Sequence, residues 1–506
     1  MKMDFDVIIV GGGHNGLVAS CYLAKAGKKV LLLEKDSEFG GATRSSYAFP
    51  GIEAKLSRYS YLVALLPDQI VKDLDLDFET ISRTVSSYTP FENSGVLINR
   101  NFDEVSAKSI SAASGGPREA ASWRAFYDRI AKVAKLLAPT MLEPLKSESE
   151  IMELIGPELW REFISQPLAQ TLNESFSSDL IKGIVLTDGL IGTFASAHEV
   201  LSNICFLYHL IGNGSGEWKV PKGGMGALVA ALLVRAQKIG VELRSGIEVI
   251  RIASSDIGAK VSTNLGEELD AKLVIAGCSP KRLERLSGLK AIESRDGSQI
   301  KMNMVLRRLP RLKSGIDPSI AFAGTFHIDE SFEQLETAFQ QAKAGKIPVV
   351  IPSEIYCHTL TDPSILSPKM HADGNHTMTL FALHTPASLF DKEHDEVKKE
   401  VTARILRGLN AYLVEPIEEL LLKDNLGRPC LEVKTPQELE AEIDLPRGNI
   451  FHGDLSFPWL SEGEHSKWGV ETIDERILLA GAGSKRGGGV SGIGGHNAAK
   501  AALERI

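Results

Sequence analysis

The sequence predicts an α/β protein of two interleaved lobes, one a parallel-sheet domain assembled from three separated stretches of chain, the other an α+β lobe built from the stretches between them. Three observations carry this. A β-branched run at 6–10 leads into a glycine cluster at 11–16 and then an apolar helical pattern. A second glycine turn at 223–226 opens another helix that feeds a strand, and the chain closes on a strand, a glycine-rich turn and a final helix. A length of 506 residues exceeds the size at which one hydrophobic core keeps growing, so two lobes are expected.

In the first unit, residues 6–10 read Asp-Val-Ile-Ile-Val, helical periodicity runs over 17–26, Gly27 closes the helix, and a second apolar strand over 29–33 ends on Glu34. Strand, tight turn, helix and strand make a βαβ unit of the dinucleotide-binding (Rossmann) type. Gly11 permits the turn, Gly13 lets the backbone approach a pyrophosphate, and Gly16 lets the helix pack on the strand. The pyrophosphate then sits on a helix N-terminus. The Glu34 carboxylate accepts the ribose hydroxyls and repels a 2′-phosphate, which disfavours NADP. These residues alone fit NAD and FAD equally.

The continuation separates the two. Glu34-Lys35-Asp36-Ser37-Glu38-Phe39-Gly40-Gly41-Ala42-Thr43-Arg44 resembles the extended signature of the glutathione-reductase-type FAD fold. Within it, Gly12-Gly13-His14-Asn15-Gly16-Leu17-Val18-Ala19 is similar to the branch that holds phytoene desaturases, carotenoid isomerases and a pyridine nucleotide-disulfide oxidoreductase domain protein. The resemblance implies FAD as cofactor and adds His14, Asn15, Lys35, Gly41, Ala42 and Thr43 to its binding residues.

Two later segments belong to the same domain. Residues 218–226 precede an amphipathic helix over 227–239 and a strand over 247–252, where the resemblance puts the backbone of Glu248-Val249 against the adenine. A strand over 272–276 ends that insertion. Residues 449–456 and 476–483 lead into the tail 487–499, whose glycines allow close approach to a flat ring, with Gly483, Gly489 and Val490 as candidates beside the flavin. The cofactor domain is accordingly expected over 1–99, 216–284 and 445–506. The substrate lobe takes 100–215 and 285–444, with mixed helix and strand patterns and an exposed linker at 111–117.

Flavin carries the redox step in such an enzyme, so few catalytic side chains are obligatory. Lys485 and Arg486 stand where family members more often show His-Pro; they read either as a cation that stabilises a reduced flavin or orients an acidic substrate, or as two solvated charges on a loop. His452 and Asp454 form a candidate acid/base pair, with turn capping as the alternative. Arg58 and Tyr59 are candidates for passing near the flavin, with surface packing as the alternative, and 206–210 is an apolar run that reads as core or as tunnel wall. No metal site is expected, because His371, His376 and His384 match no compact ligand spacing.

Composition narrows the partners. A net charge of -9 without a basic run excludes nucleic acid. Cys21, Cys205, Cys278, Cys357 and Cys430 form no Cys-x-x-Cys pair, which argues against a disulfide reductase. Residues 1–6 lack the regions of a secretory signal, and no apolar stretch reaches the roughly 20 residues of a membrane span, so the expected location is cytoplasmic. Peripheral membrane contact is admitted through the apolar stretches 61–66 and 70–76, and a homodimer is admitted too. The expectation is an FAD-dependent desaturase, isomerase or oxidase acting on a hydrophobic or conjugated small molecule by hydride transfer, with oxygen or a quinone as electron acceptor. The alternatives are a flavin amine oxidase and a non-catalytic binding protein of the same fold.

Overall fold

In the computed structural model the described residues are 3–212, 214–293 and 295–506; Met1 and Lys2, which open the stretch read as lacking a signal, lie outside them. The N-terminal β-branched run forms strand Phe5–Val10, parallel to Val30–Glu34 on one side and to the long strand Glu268–Ala276 on the other. Strands Glu242–Ser245 and Ile477–Leu479 extend the parallel sheet, while Val249–Ser255 and Gly258–Thr263 form an antiparallel hairpin on its edge. All of Val30–Glu34 is buried, as a parallel sheet covered on both faces requires.

Helices His14–Lys25, Gly226–Lys238 and Ile493–Leu503 cover one face. The first and last approach so closely that a Cβ on Gly495 would stand 2.1 Å from the Asn15 carbonyl oxygen. Small residues there are a packing requirement, and they bring the two ends of the chain together under one core.

The second lobe contains a seven-stranded sheet in the order Leu431–Lys434, Ile300–Leu306, His376–Ala382, Ser353–Tyr356, Thr325–Ile328, Val85–Phe91, Ser94–Asn99. Its pairs are antiparallel except Thr325–Ile328 with Val85–Phe91. Strands Val85–Phe91 and Ser94–Asn99 therefore belong to the second sheet, and the first cofactor segment ends before residue 99. Their alternating pattern identifies a hairpin but says nothing about which sheet it joins.

Between residues 104 and 211 the chain is helical rather than mixed. Helix Arg118–Leu137 buries Trp123, Phe126, Ile130, Val133 and Leu137, a spacing of three and four that places them on one face against Phe163, Phe176 and Phe206. The expected linker at 111–117 is in part the end of helix Glu104–Ser114, which stops where Gly115 turns left-handed at φ 77°.

Of the two stretches considered for membrane contact, 62–66 is buried, and in 70–76 only Ile70 and Leu74 are. Leu62, Val63, Ala64, Leu65, Leu66, Ile70 and Leu74 are each 8% exposed or less, packed into the cores of both lobes. Among the described residues no helix is long and apolar enough to cross a membrane.

Candidate functional site

The glycine turn is shaped by what cannot fit. Gly11 lies at φ 104°, and a Cβ on Gly16 would stand 2.2 Å from the Gly11 carbonyl oxygen, so the helix starts hard against the turn. Gly13, at φ -68° and ψ 172°, caps the helix with no side-chain partner, and a Cβ placed on it would meet nothing within 4 Å. Glu34 accepts hydrogen bonds from the Gly12 amide at 2.7 Å and the Asp36 amide at 2.9 Å, which fixes its carboxylate beside the turn. The Ile247 amide donates to the Glu34 carbonyl at 2.9 Å and brings the 247–249 segment alongside.

Around these atoms lies a cavity of about 280 Å³. Of the residues read as cofactor-binding, Gly11, Gly13, His14, Asn15, Glu34, Lys35, Gly41, Ala42, Val249, Gly489 and Val490 line it. The structure thus brings the N-terminal turn, the middle segment and the tail to one space. The other three support its wall. Gly16 is packed under the turn, the Thr43 hydroxyl shares a 2.9 Å hydrogen bond with Nδ1 of His14, and Gly483 packs on Pro280, whose Cγ a Cβ would approach to 2.6 Å.

The candidate catalytic residues separate. His452 lines the cavity, held at φ 62°, and burial lowers its pKa to about 4, so the ring is neutral. Asp454 is exposed and faces away, accepting from the Arg295 amide at 3.0 Å and pairing with its guanidinium at 3.6 Å, so the two form no acid/base pair. Lys485 pairs with Glu464 at 2.6 Å. Arg486, only 1% exposed, donates to the carbonyls of Thr140, Glu143 and Trp468 at 2.8, 2.6 and 2.8 Å. Neither cation lines the cavity, and Arg486 instead ties the glycine tail to two other segments. Arg58 chelates Glu432, whereas Tyr59 does line the cavity. From the apolar run 206–210, Tyr208 and His209 reach the cavity wall. The three histidines considered for metal are dispersed: His376 bonds Thr359, His384 packs on Phe339, and His371 sits in helix Pro368–Ala372.

Among the cavity residues that escaped the sequence reading, two are polar and buried, on one strand or beside it. Lys301, 2% exposed on strand Ile300–Leu306, donates to the Ser57 carbonyl at 3.0 Å and sits over the rings of Phe381 and Tyr61, and burial drives its pKa well below the usual lysine value. Gln299 is buried with both amide atoms unpartnered. The signal was present: Lys301 and Asn303 alternate with Ile300, Met302 and Met304, an unusual polar face for a strand buried throughout.

The cavity wall also tests whether a cofactor fits. Asn15 Oδ1, His14 Nε2, Gln299 Nε2 and Oε1, and His452 Nδ1 are buried atoms without a hydrogen-bond partner, all on residues that line this space. Buried polar groups are rarely left unpaired. A ligand with polar atoms along its length, approaching over Gly13 where a side chain would intrude, satisfies them.

Comparison with known proteins agrees with this geometry. A family model for an NAD(P)-binding Rossmann-like domain matches residues 9–66, and one for flavin containing amine oxidoreductases matches residues 70–417. An uncharacterized protein of Mycobacterium tuberculosis is 43% identical, over 99% of this chain and 97% of its own. Pyridine nucleotide-disulfide oxidoreductase domain-containing protein 2 of Rattus norvegicus is 30% identical, over 99% and 93%. Prolycopene isomerase 1 of an Oncidium hybrid cultivar is 24% identical, over 84% and 73%. Among solved structures, a putrescine oxidase variant superposes with a TM-score of 0.59 at 16% identity, over the whole of both chains, a likeness of fold. With turn, cavity and both family matches in agreement, the chain belongs to the flavin-containing amine oxidoreductase family and is an FAD-dependent oxidoreductase.

Proposed function

We propose that the cavity holds FAD in the glutathione-reductase-type variant of the fold, and that the enzyme oxidises, desaturates or isomerises a small molecule with a hydrophobic body, as in the phytoene desaturase group. Glu34 would take the ribose hydroxyls, the backbone of Gly11 to Asn15 the pyrophosphate, Val249 the adenine, and Gly41, Ala42, Gly489 and Val490 the ring system. The antiparallel hairpin at the edge of the parallel sheet supports that variant. The observation that carries the substrate class is the wall closing on the tail. Gly488 and Gly489 abut Phe451 and Leu65, and Leu62, Ile191 and Tyr208 continue an apolar surface. When bound, flavin supplies hydride acceptance. This wall excludes water from the reacting C–H bond.

Lys301 is the group placed to move a proton. Burial lowers its pKa well below the usual lysine value and so favours the neutral amine, which lines the cavity and can accept a proton from a substrate or from ordered water. Lys301→Met is expected to retain flavin and to reduce it about 100-fold more slowly, the usual scale of acid–base assistance. Because the lysine pKa is lowered, the active neutral form appears as pH rises through that pKa. A rising limb in the wild-type pH–rate profile should be missing in the variant; equal rates and profiles would remove Lys301 from the chemistry.

Amine oxidation is the second reading. Tyr61 lies 4.2 Å from Tyr356 and 4.6 Å from Phe381 between ring centroids, and such aromatic faces attract an ammonium group. Anaerobic titration of the holoenzyme with a conjugated polyene and, separately, a diamine decides between them. Bleaching of the flavin band by the polyene supports the first reading, and bleaching by the diamine alone replaces it with the second.

A further inference from the structure

Beyond Tyr61, Leu62, Ile191, His209 and Trp218, which it shares with the first cavity, lies a second chamber of about 480 Å³. Much of its wall is aromatic, but one side is strongly charged. His327 lies on strand Thr325–Ile328 directly opposite Glu354 on strand Ser353–Tyr356, so the antiparallel register puts both side chains on the same face. Asp329 then adopts φ 58°, and the turn returns Glu330 to hydrogen-bond His327 Nδ1. One ligand atom from each of His327, Glu330 and Glu354 lies within 4.8 Å of the others. The three residues are 5%, 1% and 2% exposed.

We propose that His327, Glu330 and Glu354 form a binding site for a divalent first-row metal ion. Glu330 Oε1 is buried and accepts no hydrogen bond, an acceptor that the protein itself does not satisfy. Charge points the same way. Asp188 lies on the chamber wall close enough to couple with Glu330, and Arg83 faces Glu354 and Asp188 from the same wall. One guanidinium stands against three carboxyl groups, two of them buried, and a divalent cation would supply the positive charge that their ionised forms need. Tyr356 donates its hydroxyl to Glu354, the kind of outer contact that orients a ligating carboxylate.

One imidazole and two carboxylates suit Zn²⁺, Mn²⁺ or Fe²⁺; the imidazole disfavours Ca²⁺ and Mg²⁺, and the lack of thiolate disfavours Cu⁺. His327 and Glu354 line the chamber, so the unfilled coordination positions face it and would take water or an oxygen or nitrogen atom of a substrate. The site is separate from the residues proposed to hold FAD, and its presence does not depend on that assignment.

The holoenzyme, purified without chelator, should carry about one equivalent of a first-row metal by plasma mass spectrometry. His327→Ala and Glu354→Gln should each lower it at least about ten-fold, the scale of losing a ligand or more, while the flavin absorption stays unchanged. Should the variants fail to fold, wild-type holoenzyme stripped with a chelator provides the second measurement. Titration with Zn²⁺ and with Mn²⁺ should show saturable one-site binding and a raised thermal midpoint. Metal content equal in wild type and folded variants, or no saturable binding to the stripped holoenzyme up to about 100 μM of either ion, overturns the proposal.

Discussion

Gly13→Ala is expected to fold as the wild type does and to lose its flavin. The backbone at Gly13, φ -68° and ψ 172°, is one that alanine adopts freely, and the added Cβ meets no protein atom within 4 Å. The methyl group instead enters the cavity at the point where the turn must let a pyrophosphate approach. A loss of at least about 100-fold in FAD affinity is expected, equivalent to about 2.7 kcal/mol, with the thermal midpoint of the flavin-free protein unchanged. Gly16→Ala should behave differently. Its Cβ would collide with the Gly11 carbonyl at 2.2 Å, so the turn itself must shift and the flavin-free protein should be destabilised as well. The ratio of flavin to protein absorbance and the flavin-free melting curve separate the two. If Gly13→Ala binds FAD with wild-type affinity, the turn is not the cofactor's cradle.

Arg486→Met should give the second large effect, on stability. Its guanidinium joins the glycine tail to the carbonyls of Thr140, Glu143 and Trp468, and the methionine would leave three acceptors without their charged donor. Hydrogen bonds to charged groups contribute about 1.5–3 kcal/mol each, so a total cost of roughly 3 kcal/mol or more is expected even if one carbonyl finds water. The thermal midpoint should fall by several degrees, and Arg486→Lys, which keeps the charge but not the fork, should lie between. The rate of flavin reduction in molecules that retain flavin should be unchanged. A midpoint within about a degree of wild type would refute the structural role, and a slowed reduction with an unchanged midpoint would restore the catalytic reading of this arginine.

The glycine turn of the first βαβ unit was legible because everything that defines it is local. Gly11, Gly13, Gly16 and Glu34 lie within one βαβ unit, where hydrogen bonding and steric limits act over a few residues and each type has one use. Chemistry at the tail was less legible. Lys485 and Arg486 are adjacent to the cofactor glycines in sequence, yet Arg486 adopts φ 62° and turns into the protein toward segments far away in the chain. His452 and Asp454 separate for a similar reason: His452 stands in the left-handed region and takes the cavity wall, while Asp454 continues outward to Arg295. The apolar stretches 61–66 and 70–76 were candidates for membrane contact by apolar content alone, which does not show that Leu62 and Leu65 pack into the core of the second lobe and Val63, Leu66, Ile70 and Leu74 into that of the first.

The sequence by itself determined a parallel α/β sheet, a dinucleotide cradle and a tail that returns to it, since strand period, glycine conformation and helix starts are set by neighbouring residues. Only the tertiary structure decided which polar residues line the cavity. The alternation of Lys301 and Asn303 with apolar neighbours marks a polar face, but that this face meets Ser57, Arg58 and the cavity follows from packing one lobe on the other. His327 and Glu354 carry no shared motif, and they meet because strand register places them opposite each other. Register depends on the whole sheet, and a shift of one residue would turn both side chains to the other face.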